Sequence, residues 1–154
     1  MIEAYIHSKY YPKDGTGMIV RLIFKDHSGV HERTRALKWP TKITSYQSLI
    51  RSLEFVMSSI KPEFRSQDIT VYTTKDKYME RMFGRADEKF VKEEKTIELN
   101  RELISGVRVL MADFPNLVIK YIDLNESPVF KALDPILTQT IRTGVEYNRS
   151  CCGI

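Results

Sequence analysis

Three segments of β-type sequence occupy the first 37 residues, and short polar turns join them. Residues 2–10 alternate apolar and polar side chains, residues 18–25 read MIVRLIFK, and residues 30–37 read VHERTRAL. The connections PKDGTG, residues 12–17, and DHSG, residues 26–29, are rich in the residues that turns require. Because connections this short return the chain beside the strand it has just left, the sequence predicts an antiparallel meander.

The pattern changes after Pro40, where helical periodicity begins. Thr44 and Gln47 have the spacing of a capping box, which predicts a helix over 45–60. The segments that follow are predicted, in order, as strand, short helix, helix, strand and helix, over 68–74, 75–83, 97–113, 116–124 and 128–143.

The order of these segments predicts an α/β fold. Because helices precede both later strands, right-handed crossovers should place those strands parallel to the sheet. The prediction is a five-stranded mixed sheet, a three-strand antiparallel meander plus two parallel strands, with helices on both faces. The first strand should be central and the third should be an exposed edge. Residues 1–146 are predicted as one domain and 147–154 as a flexible tail.

Composition excludes several classes of protein. The content of 42% hydrophobic and 29% charged residues is that of a globular domain, and no apolar run is long enough to span a bilayer. The first residues, MIEAYIHSKYY, do not resemble a signal peptide, so we expect a cytoplasmic protein with no membrane partner. The two cysteines, Cys151 and Cys152, are adjacent and predict no disulfide within the chain.

Positive charge is concentrated in the first half of the sequence. Residues 1–65 carry 11 Lys/Arg against 6 Asp/Glu, or +5, whereas residues 66–154 carry 13 against 14, or −1. A basic half permits a nucleic-acid or acidic-protein partner, and is equally consistent with a solvated face. The candidate binding residues are the basic and aromatic side chains of this half, namely Lys9, Tyr10, Tyr11, Lys13, Arg33, Arg35, Lys38, Trp39 and Lys42.

The aromatic candidates admit more than one role. Tyr10 and Tyr11 could stack on bases or form a protein-binding hot spot, and one of them could be structural. Trp39 could fill a pocket on a partner, or it could plug the end of the sheet.

Four stretches resemble the ribonuclease H-like fold when they are taken in order. They are YQSLIRSLEFVM, VYTTKDKYMERM, VRVLMADFPNLVIKYIDLNES and FKALD. The third is the most persuasive, because a Phe-Pro-Asn corner leading into a β run that ends in Asn-Glu is typical of such sequences. The resemblance covers about residues 2–141.

The resemblance also implies a site, and this chain departs from it. Proteins of this type use four carboxylates to hold two divalent metals that hydrolyse phosphodiesters. The positions that match here hold His7, Ser45, Thr74 and Lys131. Because hard cations need clustered oxygen anions, the resemblance implies no metal, no cofactor and no enzymatic activity for this chain.

Three functions follow as hypotheses. The first is a non-catalytic domain that acts as a protein-interaction adaptor, as in an accessory factor of a virus or mobile element. The second is a nucleic-acid-binding protein that does not cleave, in which the basic residues contact phosphates. The third is a nuclease with a rearranged metal site that uses Asp76, Asp123 or Asp134.

Overall fold

The computed structural model describes residues 1–75, 77–83 and 100–152, except for the side chains of residues 151 and 152. In this part of the chain, six strands and four helices follow one another. They are β1 (Ile2–Tyr11), β2 (Gly15–Asp26), β3 (Gly29–Lys38), α1 (Ser45–Ser59), β4 (Ile69–Thr73), α2 (Tyr78–Phe83), α3 (Arg101–Met111), β5 (Leu117–Tyr121), α4 (Pro128–Thr143) and β6 (Tyr147–Cys152). Short 3-10 turns lie at Pro62–Phe64 and Leu124–Glu126.

All six strands form one mixed sheet in the order β5-β4-β1-β2-β3-β6. β1 lies inside the sheet, where it pairs antiparallel with β2 and parallel with β4. β5 extends the parallel part by pairing with β4. The predicted meander, the central first strand and the parallel pairing of the later strands are confirmed.

The sixth strand corrects the predicted strand number and the predicted edge. β6 pairs antiparallel with β3, with Ala36 opposite Tyr147, so β3 is an interior strand and not an edge. Gly144 turns the chain back after α4 with a φ of 73°, and its N–H caps the helix at Thr140. The residues of β6 belong to the segment that was predicted as a flexible tail. They read YNRSCC and lack apolar alternation. Their pairing uses backbone groups, which a side-chain pattern cannot reveal.

The sheet separates two unequal cores. Among the described residues, α1, α2 and α3 pack on one face with the larger core, and α4 covers the other. The strict alternation of β1 sends Ala4 and Ile6 to the larger core and Tyr5 and His7 towards α4. The smaller core joins residues of the sheet and of α4, namely Ile19, Ala36, Phe130, Leu133, Leu137 and Ile141.

Most element boundaries fall within a few residues of the predicted ones. The capping box of α1 forms as expected, because Thr44 accepts from the Gln47 N–H and the Gln47 side chain accepts from the Thr44 N–H. Asp76 and the first part of the predicted helix over 97–113 lie outside the described residues. In the part of the chain that the structure describes, no helix is long and apolar enough to cross a membrane.

Candidate functional site

Two rows of side chains face each other between β1 and α4. On β1 they lie two residues apart and on α4 four apart, so each row follows one face of its element. The β1 row is His7, Lys9 and Tyr11, and the α4 row is Asp134, Thr138 and Arg142. Each member contacts the opposite row, which makes a polar seam that runs from the middle of the sheet towards the β1–β2 turn.

His7 is the innermost residue of this seam and is 4% exposed. Its Nε2 lies 2.9 Å from Asp134 Oδ1, and its Nδ1 lies 2.6 Å from Thr74 Oγ1. Because an ionised carboxylate only accepts hydrogen bonds, we assign the ring proton to Nε2, and Nδ1 then accepts from the Thr74 hydroxyl. Both ring nitrogens of a neutral His7 are therefore satisfied.

Asp134 is held from its other side by Lys9. Lys9 Nζ lies 2.9 Å from Asp134 Oδ1 and 3.1 Å from Oδ2, and it also donates to Thr138 at 3.2 Å. Both carboxylate oxygens are therefore within reach of a cationic donor, and the pair is only half-buried. Asp134 is neutralised by the chain itself.

Burial and charge set the protonation of the seam. Burial lowers the pKa of His7, the charges of Lys9 and Lys75 lower it further, and Asp134 only partly opposes them. Burial would raise the pKa of Asp134, but hydrogen bonds from Lys9 and His7 outweigh it and leave that pKa lowered. Burial would likewise lower the pKa of Lys9, and contact with Asp134 leaves it raised. At neutral pH the seam holds a neutral imidazole beside a Lys–Asp ion pair.

The four positions implied by the resemblance are not all brought together. His7 and Thr74 meet, whereas Lys131 is exposed, and Asp134, one turn later on α4, is the residue that reaches His7. Ser45 is buried in the first turn of α1. No three His, Cys, Asp or Glu side chains among the described residues are grouped so that they could hold a metal ion.

Two of the three proposed substitutes for the missing acids lie among the described residues. Asp123 caps a 3-10 turn by accepting from the Asn125 N–H at 2.8 Å. Asp76 lies outside the described residues. Of the three acids considered for a rearranged metal site, the structure therefore places Asp134 in contact with His7.

Sequence reasoning missed several residues that join the strands to the helices at this end of the sheet. The four-residue spacing of Asp134, Thr138 and Arg142 was the available signal for α4. On the other face, Ser8 Oγ lies 2.7 Å from Ser48 Oγ, and no spacing rule marks that pair.

The Thr74–His7–Asp134 chain has the composition of a hydrolase triad, but it lacks access. Such a triad activates a hydroxyl that attacks a bound substrate. Thr74 is 2% exposed, so its hydroxyl faces the imidazole and the protein interior. These contacts therefore link β1, the residue that follows β4, and α4.

Trp39 is tied to the fold. Its Nε1 donates to Ser48 Oγ at 2.8 Å, its backbone N–H donates to Thr16 O at 2.8 Å, and its ring packs half-buried against the larger core. Of the two roles that the sequence left open, these contacts favour the plug at the end of the sheet.

The basic candidates fall into two groups. Lys9, Lys13, Lys38 and Lys42 surround the β1–β2 turn, where Lys42 Nζ donates to Pro12 O at 2.9 Å. The two β3 arginines lie further along the sheet, since Arg35 pairs with Glu146 and Arg33 lies opposite Leu22 and Ser150.

Comparison with known proteins gives a fold-level answer. A scan against models of known protein families found no match, and a search of curated proteins found no relative. Among solved structures, LC11-RNase H1, isolated from compost and solved in complex with RNA/DNA hybrid, is 19% identical with a TM-score of 0.58. That alignment covers 92% of this chain and 99% of the other. The chain has a ribonuclease H-like fold.

Two further solved ribonuclease H-like structures also match the fold of this chain. LC9-RNase H1, a type 1 RNase H with the type 2 active-site motif, has a TM-score of 0.61 at 10% identity, over 94% of this chain and 74% of that one. A foamy viral protease-reverse transcriptase in complex with dsDNA has a TM-score of 0.58 at 15% identity, over 92% of this chain and 94% of that one. The ribonuclease H-like fold predicted from the sequence is confirmed.

The buried His7 should make stability depend on pH. Its pKa in the folded state lies below the ordinary value of 6.5, so the unfolded chain binds the proton more readily. Stability should therefore be unaffected by His7 above pH 6.5 and should fall as the pH drops below it, by up to about 1.4 kcal/mol per pH unit. Urea denaturation at a series of pH values measures this slope.

His7→Gln should flatten that dependence, because glutamine does not titrate. The matched control is His31→Gln, since His31 lies on β3 at the surface and is 38% exposed. An identical pH dependence in wild type and His7→Gln would contradict the burial argument.

Proposed function

We propose that this chain is a ribonuclease H-like domain that binds nucleic acid without cleaving it. The observation that carries the proposal is the Lys9–Asp134–His7 arrangement, in which His7 stands at a position where the resemblance implies a carboxylate and Asp134 is already paired with Lys9. Lys9 already contacts both oxygens of the Asp134 carboxylate, which a metal ion would need as a ligand.

The chemistry of the seam disfavours metal-dependent hydrolysis. Mg²⁺ demands near-octahedral oxygen ligands, and two-metal hydrolysis needs several anionic ones around two ions. An ion entering here would have to displace Lys9 from Asp134, and it would then meet a neutral imidazole and the Thr74 hydroxyl. The charge of Lys75, which acts on His7, adds to the repulsion.

Nucleic acid is the partner that the observations favour over a protein. Two features that a protein partner could use, an open edge at β3 and Trp39 as an anchor, are engaged within the fold, because β6 pairs with β3 and Trp39 is bonded to Ser48. In contrast, LC11-RNase H1 was solved with RNA/DNA hybrid and the foamy viral protein with dsDNA, and both share this fold. The +5 charge of residues 1–65 is compatible with a phosphate backbone.

Cleavage and binding assays on the same preparation test the proposal. We expect no cleavage of RNA/DNA hybrid, RNA or DNA in Mg²⁺ or Mn²⁺, and binding that persists when EDTA removes both metals. Because phosphate contacts release counterions, the affinity should fall steeply as salt rises.

Two results would contradict the proposal. Cleavage that is lost in Asp134→Asn would show that the seam holds a working metal site. Absence of binding to any nucleic acid at low salt would remove the binding function and restore the adaptor hypothesis.

A further inference from the structure

Two short segments meet at the end of the β1–β2 hairpin and carry a local excess of positive charge. Residues 9–17 and 38–44 together hold four lysines and one acid, Asp14. Because Lys9 is paired with Asp134 of α4, the excess comes from Lys13, Lys38 and Lys42. Lys42 Nζ bonds to Pro12 O, and the Trp39 N–H bonds to Thr16 O, so the second segment is fastened to the first. We name these two segments, together with Arg142 of α4, the hairpin surface.

The cations of the hairpin surface lie on the α4 face of the sheet and at the turn. Lys9 and Lys38 both pair with Gly17 in the strand register, so they share the α4 face, where Arg142 Cζ lies 5.9 Å from the Tyr11 ring. Lys42 lies beside the turn itself, and Lys13 is exposed within it. The positive charge therefore continues from the α4 face onto the turn.

The two tyrosines of this surface have different environments. Tyr11 is half-buried under α4, and its hydroxyl lies 3.3 Å from Thr138 Oγ1. Its ring therefore packs within the seam. Tyr10 points to the opposite face of β1 and is 46% exposed. Thr16, which lies opposite Tyr10, bonds to the carbonyl of Ile43, so Tyr10 lies on the side of the second segment.

We infer that the hairpin surface binds a single strand of nucleic acid, which wraps over the hairpin end and stacks a base on Tyr10. This inference rests on the proposed nucleic-acid binding. A duplex is stiff over about 150 base pairs, so a short site can offer its phosphates to one face of the hairpin only. A flexible single strand can follow cations around the end, and an exposed aromatic ring binds its bases with little regard to sequence.

Fluorescence anisotropy with labelled oligonucleotides of equal length tests this inference. Wild type should bind single-stranded DNA more tightly than duplex DNA or RNA/DNA hybrid. Lys13→Glu with Lys38→Glu should weaken single-strand binding about 10- to 100-fold at moderate salt and should reduce the salt dependence. Lys13→Gln with Lys38→Gln should act in the same direction with a smaller loss.

A matched control reverses the same charge elsewhere. Lys61→Glu with Lys120→Glu changes two exposed cations, one just after α1 and one on β5, and should leave the affinity within about twofold if phosphate contacts are local. Thermal melts establish that all three double variants remain folded.

Tyr10 provides the second test. Tyr10→Ala should weaken single-strand binding about 5- to 100-fold and should affect duplex binding little, because stacking needs an unpaired base. Tyr10→Phe should keep single-strand affinity, since the ring is retained.

The outcomes separate this inference from the proposed function. If the wild-type protein binds no nucleic acid, both the proposed function and this inference are wrong. If it binds but the Lys13/Lys38 variants match wild type, or the control pair loses as much, the hairpin surface is overturned and nucleic-acid binding stands. Equal affinity for duplex and single strand, or a Tyr10→Ala loss that is the same for both, overturns the single-strand assignment.

Discussion

Replacing Trp39 with alanine is expected to lower the free energy of unfolding by about 2–4 kcal/mol, slightly less than for a fully buried tryptophan. The substitution removes a half-buried ring that packs on the larger core. It also removes the donor that bonds to Ser48 Oγ, which is buried between α1 and β2. Urea denaturation monitored by circular dichroism measures the loss, since this substitution deletes the sole tryptophan of the sequence.

The same variant distinguishes a structural Trp39 from a binding anchor. A partner-binding tryptophan would leave stability nearly unchanged and abolish binding. Trp39→Phe is the matched control, because it keeps an aromatic ring while it removes the hydrogen bond, and we expect it to recover more than half of the loss. A Trp39→Ala protein as stable as wild type would show that the contacts to Ser48 and the core contribute little.

Replacing Gly17 with alanine is expected to destabilise the protein by about 1–3 kcal/mol through overpacking. A Cβ at this position would lie 2.5 Å from Ile141 Cγ1 and 2.9 Å from the carbonyl oxygen of Leu37. Ile141 is fully buried, and the carbonyl belongs to β3, which pairs with β2 at this point. We therefore expect a value near the upper end of the range, measured by urea denaturation.

Gly106→Ala is the matched control for the glycine substitution. Gly106 lies within α3, and a Cβ there would meet no atom within 4 Å. Because alanine favours a helix interior over glycine, this variant should be more stable by about 0.5–1 kcal/mol. The two substitutions should therefore have opposite signs, and a stabilising Gly17→Ala would contradict the close approach of α4 to β2.

The fold could be predicted largely because its signals are local. The turns after β1 and β2, the Thr44–Gln47 capping box and the apolar stripe of α4 each fix a segment without reference to the rest of the chain. The order of these segments then leaves few topologies. β6 was missed because its pairing with β3 depends on backbone groups and on the turn at Gly144.

The site was less predictable, since it depends on how α4 is positioned along β1. His7 and Thr74 are in contact, but the α4 residue that meets His7 is Asp134 rather than Lys131. A shift of three residues along α4 exchanges a cation for an anion, and only the packing of α4 on β1 decides between them. The sequence pattern of α4 alone cannot show which of its residues lies beside His7.

The pairing of β6 with β3 also has a consequence for the nascent chain. Residues 29–38 leave the ribosome more than a hundred residues before residues 147–152, so the meander can assemble while its last strand still lacks a neighbour. During that interval β3 is a free edge on which intermolecular pairing could begin, and the charges of Glu32, Arg33 and Arg35 oppose such pairing. These side chains therefore protect the protein during its synthesis, until β6 arrives.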